Sequence, residues 1–163
     1  MEAGLRLWRV TREKHSALDG EGARRFGGRY SPPGYPVISL ASEAGLAVLV
    51  ALRYLPASRE DWPTDFILGW TDVNCAPERL PDGFDEAQIR QEVEAWLVSG
   101  RSLLIAIRSR VLPEADVVLM NPLHAEFATV APLAVRPFSF DDCMHRPPML
   151  ERFAGDLAGE QNR

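Results

Sequence analysis

Residues 20–55 constrain the fold of this chain more than any other stretch, with the sequence GEGARRFGGRYSPPGYPVISLASEAGLAVLVALRYL. They combine a turn rich in glycine and arginine, a short apolar strand at residues 37–40, and a helix with apolar residues at helical spacing. Glycine lets a turn bring backbone N–H groups close to a ligand, and arginine pairs with anionic groups. The stretch therefore predicts a cationic pocket floor that begins at Arg29 and faces an anionic ligand.

Hydrophobic periodicity predicts the elements on either side. Residues 5–10 alternate as a half-buried strand, whereas residues 11–28 lack a sustained period and are predicted to form a loop. Ser42 is the expected N-cap of a buried helix that Pro56 ends. Further strands are predicted at residues 66–73, 103–107 and 117–120, with one or two more within residues 127–140.

A second helix is predicted to start at Asp85 and to end at Gly100, which suits a C-terminal cap. Its apolar stripe consists of Ile89, Val93, Trp96 and Leu97. The strands and the two helices alternate unevenly, so the pattern favours an α+β or mixed α/β domain over regular βαβ winding. A length of 163 residues suits one such domain.

The charge distribution narrows the range of ligands. The net charge of −5 argues against a general nucleic-acid binder, because such domains carry a basic excess. Residues 1–30 carry seven basic and four acidic side chains, a net charge of +3. Only this part of the chain is therefore expected to bind phosphate groups. Of the 18 basic residues, 17 are Arg. Genome composition is the simpler explanation of that bias, and selection for bidentate phosphate contacts is the alternative.

Several site classes are not indicated by the sequence. No GxGxxG or GKS/GKT motif follows a strand, so neither a dinucleotide fold of the doubly wound type nor a P-loop is predicted. Cys75 and Cys143 lack metal-ligand or disulfide-framework spacing, and we expect no metal and a cytoplasmic location. No apolar run approaches a membrane span, and the opening residues are not expected to be a signal peptide.

Five segments together resemble one family, in its order and at similar spacing. They are LWRV, GEGARRFGGRY followed by PPGYP and its helix, WLVSGRSLLIAIRS, LPEADVVLMNPLHAEF and FSFDD. The chain resembles the RES domain, the toxin half of bacterial RES-Xre toxin–antitoxin pairs. The resemblance implies a RES-like domain over residues 1–150, followed by a helical or frayed tail over residues 151–163. It also implies a mixed, mostly antiparallel sheet flanked by helices, similar to ADP-ribosyltransferase toxins.

The resemblance also implies an activity and a site. Members of the family consume NAD+ as hydrolases or phosphorylases, or transfer its ADP-ribose to a protein. The family's Arg and Ser correspond to Arg29 and Ser109, the implied catalytic residues. Its Tyr and Glu positions hold Ser39 and Val50 in this chain. The implied nucleotide-binding positions are Gly28, Arg29, Tyr30, Ser39 and Val50.

Those two departures have a physical consequence. Breaking the nicotinamide–ribose bond builds positive charge at the ribose carbon, which a nearby carboxylate stabilises, and Val50 cannot do this. Losing such a group costs on the order of 100- to 10,000-fold in rate. Glu43 lies two helical turns away, about 10 Å, which is too far to substitute. Tyr30 or Tyr35 could supply an aromatic surface. An inactivated toxin and a divergent branch both remain open.

Other residues whose side chains could act in catalysis are better explained by structural roles. Ser109 lacks a matched base and a GxSxG motif, so nucleophilic serine catalysis is not indicated. His124 suits a turn after Asn121, and His145 has no ligand spacing. Asp141 and its neighbour are an alternative acid–base pair, although adjacent acids on a strand point apart.

Two functions from different classes follow. One is a RES-type toxin that acts on NAD+ and is neutralised by an Xre-type helix-turn-helix antitoxin. We expect this toxin to bind neither nucleic acid nor a membrane directly, and to form homo- or hetero-oligomers. The other is a RES-fold module that has lost turnover yet binds nucleotide or antitoxin. Ser39 and Val50 favour the module, whereas Arg29, the glycine turn and Ser109 favour the toxin. Turnover is left open.

Overall fold

A computed structural model describes residues 4–144, and the predicted tail at 151–163 and His145 lie outside that range. The described chain is one α+β domain built on a seven-stranded sheet. Its strands are β1 (Leu5–Arg12), β2 (Ile38–Ala41), β3 (Phe66–Val73), β4 (Glu78–Arg79), β5 (Leu104–Arg108), β6 (Asp116–Met120) and β7 (Ala134–Pro137). The helices are α1 (Glu21–Phe26), α2 (Ala44–Leu52), α3 (Glu86–Ser99) and α4 (Phe140–Cys143).

The strand order is β4-β5-β6-β2-β1-β3-β7. Only the β4–β5 pair is parallel within the described residues, so the mostly antiparallel mixed sheet expected from the family resemblance is confirmed. Short 3-10 helices occupy Glu13–His15, Arg59–Asp61 and Ala125–Thr129. No helix in the described part of the chain has both the length and the hydrophobicity to cross a membrane.

Helix α3 packs on one face of the sheet as its sequence predicts. The Asp85 side chain accepts from the Gln88 N–H, the Gln88 side chain accepts from the Asp85 N–H, and this capping box starts the helix. Gly100 ends it in the left-handed conformation, which glycine adopts without strain. All four residues of the predicted apolar stripe are buried, against Ile105, Ile107 and Leu119 of the sheet.

The opposite face of the sheet carries a second apolar cluster. Leu7, Ile38, Leu104 and Met120 are fully or almost fully buried there. Side chains alternate between the two faces of a strand, so β5 supplies both clusters with successive residues. The central strands are therefore covered on both sides, which holds β1 and β2 in place for the site described below.

Several expectations about individual elements are wrong. Residues 21–26 are helical rather than loop, and β4 lies in a stretch where no strand is predicted. Glu43, not Ser42, occupies the N-cap of α2, because the Ser42 Oγ accepts from the Asp116 N–H at 2.9 Å instead.

Helix α2 is also less buried than predicted. Only Leu46 and Ala47 of α2 are buried, and Leu49 is exposed, because one side of this helix borders an open cleft. Residues 127–140 contain a single strand, β7, preceded by a 3-10 helix, which agrees with the one or two strands predicted there.

Candidate functional site

The glycine turn after α1 is fixed by its own backbone. Gly27 adopts φ +73°, and a Cβ there would approach the Ser31 carbonyl oxygen to 3.0 Å, so a larger residue would strain the turn. The Gly28 N–H donates to the same carbonyl at 2.9 Å. The Gly28 amide is thus used inside the turn, and its contribution is to set the position of Arg29.

Arg29 lies at the edge of a cleft, and most of the N–H donors of its guanidinium form no hydrogen bond within the described residues. Its side chain is 29% exposed, and its Nε and one terminal nitrogen lie 3.4 Å from Glu86 Oε2. The guanidinium also sits 5.1 Å from the ring centroid of Tyr30, whose side chain is buried in the core. A guanidinium has five N–H donors, and contacts of 3.4 Å are long for charge-assisted hydrogen bonds. Arg29 can therefore accept an anionic ligand without losing a strong internal bond.

The largest cavity of the site lies where β1 and β2 separate. The two strands pair only at Trp8 and Ala41, whereas β1 pairs with β3 along all eight of its residues. The opening holds a cavity of about 480 Å³, lined by residues 8–12 of β1, residues 39–41 of β2, and parts of α1 and α2. We refer to it as the large cavity. Its volume is within the range of small-molecule sites.

Two smaller cavities, of about 120 and 110 Å³, adjoin the large one. Val50 lines all three, and Ser39 lines the large cavity and one of the small ones. Arg29 and Tyr30 line both small cavities, and Ser109 lines one of them. We call the three together the cleft. The structure therefore brings together the predicted residues around one cleft, with Val50 at its centre.

The charges that line the cleft are all positive. Five arginines contribute to its walls, and these are Arg9, Arg12, Arg29, Arg53 and Arg110. No Asp or Glu is among the lining residues within the described chain. Cations facing a concave, partly apolar surface attract anions, because the surrounding protein excludes part of the screening solvent. The cleft suits a ligand that carries phosphate groups.

The residues weighed as substitutes for the missing Tyr and Glu occupy different places. Tyr30 reaches the cleft, whereas Tyr35 lines a separate groove formed with the C-terminal end of α3. Glu43 is exposed at the start of α2 and does not line the cleft. The carboxylate in contact with Arg29 is that of Glu86, at the start of α3. An aromatic surface is therefore available, but no carboxylate of the described residues lines the position next to Val50.

Ser109 also has a local structural role. It is buried, and its Oγ accepts from the Leu112 N–H at 3.2 Å, which closes the turn between β5 and β6. The hydroxyl keeps its own donor, so it can still bond a ligand in the adjoining small cavity. His124 stabilises a turn as expected, since its Nδ1 accepts from the Glu126 N–H. Asp141 is exposed and pairs with Arg59, away from the cleft.

Arg53, Tyr54 and Arg9 belong to the cleft but were not predicted as site residues. Arg53 and Tyr54 follow Val50 by three and four positions, and Tyr54 is 74% exposed. That spacing places side chains on the same side of a helical segment, so it was a usable signal. Arg9 lies on the same face of β1 as Leu7, which is fully buried. A charged residue beside a buried apolar residue on one strand face was a second signal.

Comparison with known proteins assigns the family. A model of the RES domain matches residues 6–141. The chain belongs to the RES domain family. The Prs ADP-ribosylating toxin of Sphingobium sp. strain YBL2 is 29% identical over 156 residues, covering 86% of this chain and 96% of the relative. Toxin Res of Photorhabdus laumondii is 29% identical over 136 residues, covering 74% of this chain and 84% of the relative.

A solved structure shares the fold of this RES domain. It is that of the MbcT–MbcA toxin–antitoxin complex of M. tuberculosis, with a TM-score of 0.62 and 20% sequence identity. The match covers 83% of this chain and 85% of that one. The family and the α+β fold inferred from the five sequence segments are confirmed.

Proposed function

We propose that this RES domain is the toxin of a toxin–antitoxin pair and that its cleft acts on NAD+ in the cytosol. Two observations support the proposal. The relatives carry the names Prs ADP-ribosylating toxin and Toxin Res. The observation that carries most weight is that Arg29, Tyr30 and Ser109 line one cleft whose charged lining residues are all arginines.

The proposed roles follow from the contacts of these residues. Arg29 binds the diphosphate of NAD+, exchanging its long contacts with Glu86 for shorter charge-assisted bonds. The Tyr30 ring lies against the Arg29 guanidinium and contributes an aromatic surface to the cleft. The Ser109 hydroxyl donates a hydrogen bond to a ribose or amide oxygen of the ligand, since its acceptor side is used by Leu112.

In the proposed reaction, the bond between the ribose C1′ and the nicotinamide nitrogen breaks. Its electron pair leaves with nicotinamide and neutralises the pyridinium, and an acceptor oxygen then bonds to C1′ and loses its proton. Positive charge builds at C1′ in the transition state. Val50 offers no charge to stabilise it, and the nearest lining charges are arginines, which oppose it. The proposed turnover is therefore slow, by about 100- to 10,000-fold relative to a cleft with a carboxylate at position 50.

A second function is favoured by the same two substitutions. Ser39 and Val50 remove the aromatic and acidic groups but leave the phosphate-binding arginines in place. A protein with that cleft binds a nucleotide without cleaving it. The alternative is thus a catalytically silent RES domain that binds nucleotide or antitoxin.

For either function we propose a protein partner. The structural neighbour is a toxin–antitoxin complex, and the family resemblance implies an Xre-type antitoxin with a helix-turn-helix. In the proposed pair, the antitoxin binds DNA and this chain does not. Co-expression with the Xre protein encoded beside it, followed by co-purification on a tag carried by this chain alone, tests that pairing. Separate elution of the two proteins would contradict it.

The activity is tested by incubating purified protein with NAD+ and measuring free nicotinamide. We compare the parent with a Ser39→Tyr, Val50→Glu double variant, which restores both family side chains. Its matched control is Ser39→Tyr, Val50→Gln, which has the same shape at position 50 but no charge. Slow release by the parent, with release about 100-fold or more faster in the Glu variant than in the Gln control, supports the toxin assignment.

Other results discriminate between the two functions. Release only by the Glu variant supports the silent module, because the arginines then hold NAD+ in a productive position without a catalyst. Equal release by the Glu and Gln variants would contradict the role given to position 50. Growth arrest on expression of the parent, relieved by Arg29→Gln, would support a toxin that modifies a protein even if nicotinamide release is below detection.

A further inference from the structure

Glu86, the first residue of α3, contacts one edge of the Arg29 guanidinium. A single carboxylate oxygen, Oε2, lies 3.4 Å from both Nε and one terminal nitrogen of Arg29. Those two nitrogens form one of the edges through which a guanidinium makes paired bonds to a carboxylate or a phosphate. Charge-assisted bonds of this kind are shorter, about 2.7 to 2.9 Å. Glu86 therefore occupies an anion-binding edge of Arg29 without forming a strong bond there.

The Glu86 carboxylate has a second cation within reach. Its other oxygen, Oε1, lies 3.6 Å from a terminal nitrogen of Arg90, one turn further along α3. Glu86 also lies in the first turn of α3, where the free N–H groups of the helix favour a negative charge. If Arg29 turned to another anion, Glu86 would keep both of these favourable interactions. The carboxylate is thus shared between two arginines and depends on neither.

The contact between Arg29 and Glu86 is weak enough for a ligand to break and strong enough to change the affinity for that ligand. Both side chains are partly exposed, and ion pairs of that kind shift an equilibrium by at most about fivefold. A phosphate group has to displace the carboxylate before it can use the same edge of Arg29. The apparent affinity is therefore lower than the intrinsic affinity by the fraction of molecules in which that edge is free.

We propose that Glu86 is an internal competitor for the anion-binding edge of Arg29, and that Arg90 holds Glu86 when a ligand takes its place. The inference rests on the proposed contact between Arg29 and the diphosphate of the ligand. Neither Glu86 nor Arg90 lines the cleft in the part of the chain that the structure describes. Glu86 is therefore a positioning residue, which acts on the ligand through Arg29 and sets the affinity of the cleft.

The first test is calorimetric titration of the purified protein with ADP-ribose. Glu86→Gln keeps the size of the side chain and removes its charge, and we expect it to bind ADP-ribose about two- to fivefold more tightly than the parent. Glu94→Gln is the matched control, because Glu94 is an exposed residue of the same helix that forms no ion pair within residues 4–144. It removes the same charge and should leave the Kd within about 1.5-fold. An equal gain in the two variants would overturn the inference.

Replacing Arg90 tests the second half of the proposal. In Arg90→Gln the displaced carboxylate has lost its alternative cation, so ADP-ribose should bind about twofold or more weakly. In the Glu86→Gln background the same replacement should have no effect, because no carboxylate is left to be held. A direct contact between Arg90 and the ligand would weaken binding equally in both backgrounds. That result would overturn the inference.

A gain in affinity also separates this role from a purely structural one. The capping box of Asp85 and Gln88 starts α3 without the Glu86 side chain. The midpoint of thermal unfolding of Glu86→Gln should therefore fall by no more than about 4 °C. Unchanged or weaker binding of ADP-ribose by the folded variant would overturn the inference. Should Glu86→Gln fail to fold, Glu86→Asp keeps the charge at the start of the helix but is one methylene shorter, and the same gain is expected.

Failure of this inference can be told apart from failure of the proposed function. Binding of ADP-ribose that depends on Arg29 but is not tightened by Glu86→Gln overturns the internal competitor and leaves the proposed function intact. Tighter binding by Glu86→Gln, without nicotinamide release by the parent, supports the competitor and removes only the catalytic proposal. Binding of ADP-ribose by neither the parent nor Glu86→Gln overturns both.

Discussion

Replacing Arg29 by glutamine should separate binding from stability. In the ligand-free protein, Arg29 contacts Glu86 at 3.4 Å, and 41% of the Glu86 side chain is exposed. Partly exposed ion pairs at that separation contribute at most about 1 kcal/mol to the free energy of unfolding. Glu86 also keeps Arg90 as a neighbour at 3.6 Å, so its charge is not left isolated. Arg29→Gln should therefore destabilise the fold by less than about 1 kcal/mol.

The expected effect of Arg29→Gln on ligand binding is much larger. A hydrogen bond to a charged group contributes about 1.5 to 3 kcal/mol, which is roughly a 10- to 150-fold change in Kd. The assay is calorimetric titration with ADP-ribose, which carries the diphosphate and cannot be cleaved at the nicotinamide bond. Urea denaturation of the same samples gives the free energy of unfolding.

Arg24→Gln is the matched control for Arg29→Gln. Arg24 lies in α1, five residues before Arg29, and pairs with the exposed Glu21 rather than lining the cleft. Its loss should leave the Kd for ADP-ribose within about twofold, since its charge is screened by solvent. Equal losses of affinity in the two variants would refute the reasoning, because general charge would then account for binding. A large loss of stability in Arg29→Gln would refute the weak pairing with Glu86.

Two further predictions concern the fold. Trp96 is fully buried, and its indole N–H donates to the Ser102 hydroxyl at 2.9 Å. Trp96→Ala should therefore lower the free energy of unfolding, measured by urea denaturation, by about 3 to 5 kcal/mol. A loss below about 1 kcal/mol would contradict the packing of α3. The hydrogen bond from Arg101 lowers the pKa of Glu78 below its ordinary value of 4.5. The pair therefore stabilises the fold above that pH, and the stabilisation is lost as the pH falls through the lowered value. Glu78→Gln should show a flatter loss of stability in acid, and an unchanged pH profile would contradict this.

The part of the fold that could be predicted from sequence is the part with local signals. Helix α3 has an N-cap Asp, a Gln three residues later, an apolar stripe at helical spacing and a terminal Gly, and all of these act within one segment. Strand β3 alternates over eight residues between turn signals. Such patterns specify structure before any tertiary contact forms.

Helix α1 and strand β4 gave no comparable signal. Helix α1 has six residues, shorter than the window over which a period can be recognised, and pairs of Glu21 with Arg24 and Arg25 support it. Strand β4 has two residues and exists because β5 lies beside it. Ser42 has the composition of an N-cap, but a tertiary hydrogen bond to the Asp116 N–H outcompetes that role.

The features of the candidate site also divide into those with a signal in the linear sequence and those that depend on the folded structure. Arg29 and Ser109 were found because their motifs match a family pattern in the linear sequence, and the structure places both at the cleft. The cleft itself depends on the early separation of β1 from β2, which no local pattern encodes. Arg9 and Arg53 had a signal in their spacing from Leu7 and Val50, but that signal does not show that both residues line one cleft, because the cleft forms only on folding.

The central claim is that the cleft binds an ADP-ribosyl group through Arg29. The most direct test is a crystal structure of the protein grown with ADP-ribose. We predict diphosphate oxygens about 2.7 to 2.9 Å from the Arg29 guanidinium, with the contact to Glu86 lengthened. Density for ADP-ribose outside the cleft, or in it with Arg29 still facing Glu86, would contradict the claim.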